Sequence, residues 1–225
     1  MIKFKNVSRS YSSTSVLDDI SFEIQDGEFV SIVGRSGAGK STLVKLLLGI
    51  ETPSSGEIII DGCDVSQLKP IELSQLRQKI GVVYQDYRLL QNKTVYENVA
   101  YVMQVQGKNE ERIKEEAEKV LEITGLSDKA DNFPDQLSGG EQQRLAVARA
   151  IINQPDVVIA DEPTGNLDPY NTYEVISLLV KINTLGKTVI LASHDKEVIN
   201  KLKKRVITLD GGKVIRDDKI GQFIL

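Results

Sequence analysis

The stretch "GRSGAGKS", residues 34–41, carries three glycines, a lysine and a hydroxyl residue at the spacing of a phosphate-binding loop. Only residues without a side chain let consecutive backbone N–H groups curl around a triphosphate, and Gly34, Gly37 and Gly39 stand where that is needed, interleaved with Arg35, Ser36 and Ala38. Lys40 is placed to neutralise the β and γ phosphates, Ser41 to offer a hydroxyl to Mg2+, and Thr42 is counted with the same nucleotide-binding loop. A second element, "VVIADE" at 157–162, ends an apolar run on two adjacent carboxylates. Asp161 is placed to hold the Mg2+ shell, and Glu162 to orient or deprotonate a water attacking the γ phosphate. His194, the single histidine, directly follows the apolar run "TVILAS". Finally "LSGGEQQR", residues 137–144, sets a serine and two glycines before a helix, the arrangement of a second phosphate pocket.

Each of these groups needs an element to present it. The phosphate loop lies between the apolar strand "FVSIV" and the helix-like "STLVKLLLG". From 137 onward, helical "EQQRLAVARAII" and "TYEVISLLVKIN" alternate with buried strands "DVVIAD" and "KTVILAS". That alternation predicts a parallel sheet with ligands at the carboxyl ends of its strands, where His194 stands. Residues 1–84 read as sheet: Ile2, Phe4 and Val7 mark a half-buried strand, "SFEI" and "EFVSIVG" flank the hairpin-like turn Asp26–Gly27, and "GEIIIDG" ends at Asp61–Gly62. Residues 86–136 switch to helical spacing, with Ile113, Ala117, Val120 and Leu121 on one face, Gly125 as a stop and the acid–base run as a solvated face. This segment reads as inserted into an α/β body formed by 1–84 and 137–225.

Composition bounds what the chain can be. At 225 residues and 24.9 kDa it is one large domain or a domain with a subdomain. Its one cysteine, Cys63, excludes an internal disulfide, and the start "MIKFKNVSRSY" lacks the charged-then-apolar pattern of a signal peptide, so a cytoplasmic address is expected. Apolar runs such as "TLVKLLLGI" fall far short of the roughly 20 residues that span a bilayer, so a membrane role would come through a partner. Twenty-eight basic against thirty-two acidic residues leave a charge of −4, which argues against a nucleic-acid partner.

The phosphate loop, "LSGGEQQR", "VVIADE" and "SHD", in that order and at these separations, resemble the ATP-binding subunit of an ABC transporter-type ATPase over nearly the whole chain. The resemblance implies an α/β fold, a P-loop NTPase ABC nucleotide-binding domain with an N-terminal antiparallel β subdomain and an inserted α-helical subdomain. It implies ATP and Mg2+ as cofactors, and a homodimer in which ATP is sandwiched between one phosphate loop and the opposite signature, Ser138, Gly139 and Gly140. Gln85, in "VVYQD", matches a glutamine that contacts Mg2+ and water; with Lys40, Glu162 and His194 it completes the catalytic set. Asn166, Leu167 and Asp168, in "PTGNLDP", match a loop touching the opposite subunit. Tyr11 resembles the aromatic that stacks on adenine, or is a plain tyrosine.

Two positions depart from the family pattern: Arg35 stands in place of a proline, adding charge near the phosphates or pointing to solvent, and Ser193 in place of a threonine. "ADEPTGNLDP" is similar to the branch that holds lipoprotein-release, macrolide-export and cell-division ATPases, and "YQDYRLLQNKTVYENVAYVMQVQG" and "KRVITLDGGKVIRD" resemble its cell-division members. The resemblance therefore implies an integral membrane partner and control of cell-wall hydrolases during division, with lipoprotein or small-molecule export as the alternative. The stretch with Tyr87, Leu89 and Leu90 is either the docking surface for that partner or core. "KLKKR", 201–205, either touches anionic lipid or is a solvated helix end.

Overall fold

Burial of Ile2, Phe4 and Val7 makes the N-terminal segment a one-sided strand, and the computed structural model, which describes residues 1–223, opens on it. Strands β1 (Ile2–Tyr11), β2 (Thr14–Ile24) and β3 (Phe29–Val33) precede helix α1 (Lys40–Leu47). Strands β4 (Ser55–Ile60) and β5 (Cys63–Asp64), helix α2 (Pro70–Gln78) and strand β6 (Ile80–Tyr84) follow. Helices α3 (Val95–Gln104), α4 (Glu110–Thr124) and α5 (Gly139–Ile151) come next. The remainder alternates as β7 (Val157–Asp161), α6 (Pro169–Thr184), β8 (Thr188–Ser193), α7 (Lys196–Leu202), β9 (Arg205–Asp210) and β10 (Lys213–Asp218). Two compact units result, one of Met1–Arg77 with the segment from Asn183 onward, the other of Gln78–Ile182.

In the first unit β2, β1, β4 and β5 form an antiparallel sheet in that order. Its β4–β5 turn is Asp61–Gly62, with φ of 49° and 84°, the paired left-handed conformations that a tight hairpin of this hand requires. Phe4 and Phe22 stack across β1 and β2 with ring centroids 4.5 Å apart. The other strands of this unit run β10-β9-β3-β8, with β3 parallel to both β8 and β9. The turn at Asp26–Gly27 is therefore no hairpin: β2 pairs with β1, and the turn carries the chain from one sheet into the other. The reason lies in β3, whose five residues are all buried, as suits a strand with parallel neighbours on both sides and not one half of a solvated hairpin.

Arg205 fastens the two sheets of this unit at the start of β9. Its guanidinium donates to Asp217 at 2.7 Å, to both Glu28 carboxylate oxygens at 3.0 Å and to the Glu23 carbonyl at 2.7 Å. Hydrogen bonding to Asp217, then to Glu28, raises its pKa further above the ordinary arginine value. The side chain is only 14% exposed, so removing it strands two partly buried carboxylates. Arg205→Met is expected to cost about 3 kcal/mol, read as a lower urea midpoint; a loss below about 1 kcal/mol would show that solvent replaces the clamp.

In the second unit β6 and β7 pair in parallel, Tyr84 opposite Asp161. Helix α4 buries Ile113, Ala117, Val120 and Leu121 and ends at Gly125, whose φ of 67° only a glycine adopts without cost. Its outer face carries exposed pairs, Lys119 with Glu115 and Glu116 and Lys114 with Glu118, which contribute solubility more than stability. A capping box between Thr94 and Glu97 starts α3, and the buried Asn98 side chain ties down the chain before it through Leu90, Lys93 and Thr94. Among the described residues no helix is long and apolar enough to cross a membrane.

Candidate functional site

Parallel register places Val33 opposite Ser193, so the loop opening at Gly34 and the side chain of His194 leave the same end of two neighbouring strands. Gly37 and Gly39 have φ of 81° and 102°. A Cβ on Gly39 would also lie 2.5 Å from Leu17 Cδ2 and 3.0 Å from the Val16 carbonyl, so the loop is seated hard against β2. Helix α1 begins with Gly39 as its cap, without a capping side chain and without an acid in its first turn, so its positive end is presented as an anion site. Lys40 is buried, and its ammonium donates to the carbonyls of Gly34 at 2.9 Å and Arg35 at 3.3 Å, which holds it across the loop. Ala38 is buried, Thr42 half-buried, and Arg35, Ser36 and Ser41 are exposed; Arg35 therefore opens to solvent.

His194 is exposed, while Ser193 beneath it is buried and accepts the Asp195 N–H through its hydroxyl at 3.0 Å. Serine in place of threonine keeps the group that makes this bond. Asp195 in turn caps α7 by accepting from the Glu197 and Val198 N–H groups. Tyr11, at the end of β1, is 38% exposed; its hydroxyl donates to Glu51, and the Arg9 guanidinium lies 4.7 Å over its ring. Glu51 is held below the usual carboxylate range, first by that hydroxyl and then by Lys45 and Arg9.

The second unit assembles the remaining groups. Gln85 follows β6, Asp161 ends β7 beside it, and Glu162 comes next with φ of 50°, a conformation strained for a residue with a side chain. The chain then turns, the Gly165 N–H donating to the Glu162 carbonyl at 3.2 Å. A Cβ on Gly165 would meet Gln85 Nε2 at 2.8 Å, so the Gln85 amide folds against this turn. Gln85, Asp161 and Glu162 are thus brought to one edge of the pair β6–β7.

Ser138 caps α5 in a reciprocal box with Glu141: its N–H and hydroxyl donate to the Glu141 carboxylate at 2.8 and 2.7 Å, and the Glu141 N–H donates back at 3.3 Å. The Ser138 hydroxyl is the main reason that Glu141 sits below the usual carboxylate range. A Cβ on Gly139 would lie 3.4 Å from the Tyr87 hydroxyl and 3.8 Å from Leu167 Cδ2. The signature therefore adjoins both the stretch after Gln85 and the segment Asn166, Leu167 and Asp168. Leu89 is buried and belongs to the unit's interior, while Tyr87 and Leu90 are half-buried, the Leu90 backbone being held by Asn98. In 201–205, Arg205 is occupied in its ion clamp and Lys201 faces Glu197 at 3.9 Å.

Sequence reasoning passed over two residues here. Gln143 is fully buried, donates to the Tyr84 carbonyl at 3.3 Å just before Gln85, and keeps its Oε1 unpartnered. Asn171 packs beneath the signature. The signal for Asn171 is an aspartate three residues earlier, which marks a helix cap and nothing more.

A glycine-built phosphate loop opening a helix after a parallel strand, with carboxylates at the ends of further strands, defines a phosphate-loop nucleotide hydrolase. Residues 17–165 match the ABC transporter family, and the chain belongs to that family and is an ATPase. It is 49% identical to the cell division ATP-binding protein FtsE of Bacillus subtilis, covering 99% of this chain and 98% of that one. It is 47% identical to the protein of the same name from Mycobacterium tuberculosis, over 99% and 98%. A dimeric ATP-binding cassette solved in a post-hydrolysis state bound to ADP and Pi superposes with a TM-score of 0.89 at 36% identity, covering 99% of this chain and all of that one.

Proposed function

We propose that this chain is the ATP-binding and ATP-hydrolysing subunit of a membrane-bound complex for cell division, peripheral on the cytoplasmic face and joined to an integral membrane protein resembling FtsX. The observation that carries this reading is the similarity to FtsE at 47–49% identity along essentially the full length of both chains. The chain acts as one ATPase domain, 1–225, with 1–84 and 137–225 as body and 86–136 as helical subdomain. In the complex, ATP turnover drives a change in shape that controls cell-wall hydrolases outside the membrane.

The residues fit ATP with Mg2+. The loop 34–42 wraps the phosphates with its N–H groups, Lys40 shifts from loop carbonyls to the β and γ oxygens, and Tyr11 offers its ring to adenine. Ser41, Gln85 and Asp161 would supply hard oxygen donors to Mg2+ beside its waters, and the bound ion would contribute charge stabilisation at the phosphates. Glu162 orients the attacking water and takes its proton, and His194 steadies the γ phosphate. Ser138, Gly139 and Gly140 of a second copy complete the site, so each nucleotide adds attractive contacts to both faces and hydrolysis removes them.

The test is to tag a Glu162→Gln chain, isolate it with ATP from detergent-solubilised native membranes, and identify what comes with it. A membrane protein with few spans and a large external segment, accompanied by wall hydrolases, is the expected result. A transporter-like permease with many spans would overturn the division reading in favour of export and leave the ATP site as assigned.

A further inference from the structure

Gly140 is a glycine for a reason separate from backbone conformation, since its φ is not in the left-handed region. A Cβ there would fall inside the carboxamide of Asn171 and 2.9 Å from Asn171 Cβ. The same carboxamide donates through Nδ2 to Asp168 Oδ2, and the Asn171 backbone N–H donates to Asp168 Oδ1 at 3.0 Å. These bonds, the backbone one first, hold the Asp168 carboxyl below the usual range. One residue earlier in the signature, Gly139 adjoins Leu167. Two successive glycines of the signature thus rest on two residues that flank Asp168, and Asn171 touches both the signature and the aspartate.

We propose that Asn171 is a positioning residue for ATP turnover, locking the signature turn 138–140 to the loop 166–168 so that the two present to the neighbouring subunit as one body. The inference rests on the sandwich arrangement proposed above. Two attachment points on either side of Asp168 suppress rotation of one segment against the other, which a single contact could not do. Asparagine suits the position because its amide nitrogen can donate to the Asp168 carboxylate while its small carboxamide fits the space that Gly140 leaves open. An aspartate would keep the volume and turn the donated bond into repulsion between carboxylates.

The experiment is a double-mutant cycle in the full chain under ATP turnover, with Gly140→Ala, Asn171→Ala and both together, measuring kcat, KM and melting temperature. Asn171→Ala should lower kcat about tenfold with KM and phosphate-loop affinity for ATP little changed, since contacting residues couple at this level. Gly140→Ala should lose more, and its additional loss should shrink to a few-fold in the Asn171→Ala background, where the colliding carboxamide is gone and only the Cβ at 2.9 Å is left to give way. Asn171→Asp should lose at least as much as Asn171→Ala. An unchanged kcat in Asn171→Ala, or the same cost for Gly140→Ala in both backgrounds, would overturn the proposal, because the glycine would then answer to the nucleotide alone. If Asn171→Ala does not fold, Asn171→Ser, which removes the carboxamide that Gly140 would meet and keeps a polar side chain in the first turn of α6, takes its place in the cycle with the same criteria. Failure of the sandwich reading itself shows separately, as full hydrolysis by a chain with a bulky residue at 138.

Discussion

Glu162→Gln lowers ATP turnover by about 10²–10⁴-fold, the span that a positioned general base contributes, while nucleotide binding stays near that of the unaltered chain. Glutamine has nearly the same volume, so the turn from Glu162 to Gly165 and the seat of the Gln85 amide against it are undisturbed. What is lost is the charge that, in the proposed mechanism, orients a water and accepts its proton. The phosphate loop lies in a different part of the chain and keeps its glycines and Lys40. In the proposed sandwich hydrolysis releases the dimer, so the variant is expected to accumulate as a closed dimer with ATP. Single-turnover hydrolysis, binding of a fluorescent ATP analogue and size-exclusion chromatography with ATP read the three parts. Normal turnover by this variant would remove Glu162 from the mechanism.

Ser138→Phe comes second in size and separates the two half-sites. Serine at this position does two jobs that can be taken apart. As the cap of α5 it closes a box with Glu141, and Ser138→Ala removes the two hydroxyl bonds of that box, at a cost of about 1 kcal/mol in helix stability, together with any bond the hydroxyl makes to the neighbour's nucleotide, while the backbone N–H groups of the turn stay in place. A phenylalanine loses the same cap and adds bulk on the face proposed to meet a second copy. Turnover should therefore fall by about 10²-fold or more in Ser138→Phe and far less in Ser138→Ala, on the scale set by loss of a preorganised site for the transferring phosphate. ATP binding to the chain's own loop should survive in both, measured by calorimetry. Loss of that binding in Ser138→Phe would sink the division of labour between loop and signature.

Particular elements show how far the sequence could be read. The buried face and the end of α4 were legible, because Ile113, Ala117, Val120 and Leu121 lie on one face of a 3.6-residue period and Gly125 offered a stop, which it is. The loop 34–41 was legible as a pattern because its glycines answer to local geometry, and Gly37 and Gly39 take φ of 81° and 102°. The Asp26–Gly27 turn misled, since a turn dipeptide reports that the chain reverses or bends and says nothing of which strands then pair. Full burial of β3 was the competing signal, and it won. For Tyr87, Leu89 and Leu90 the sequence offered two readings of equal standing, and burial takes Leu89 into the interior while Tyr87 and Leu90 stay half-buried.

By itself, then, the sequence determined the chemistry this chain can do. Gly34 to Ser41, Asp161 with Glu162, and Ser138 with its glycines, the groups proposed to carry it out, have types and spacings that are short-range, so a few residues suffice to specify each. Tertiary structure alone decided which of these groups share a frame. Parallel register put Gly34 beside His194 and Gln85 beside Asp161, Arg205 gathered Glu28 and Asp217 from distant segments, and Asn171 came to rest under Gly140. Such partners are chosen by burial and close packing among residues far apart in the chain, a condition on the whole fold that no local pattern of residues records.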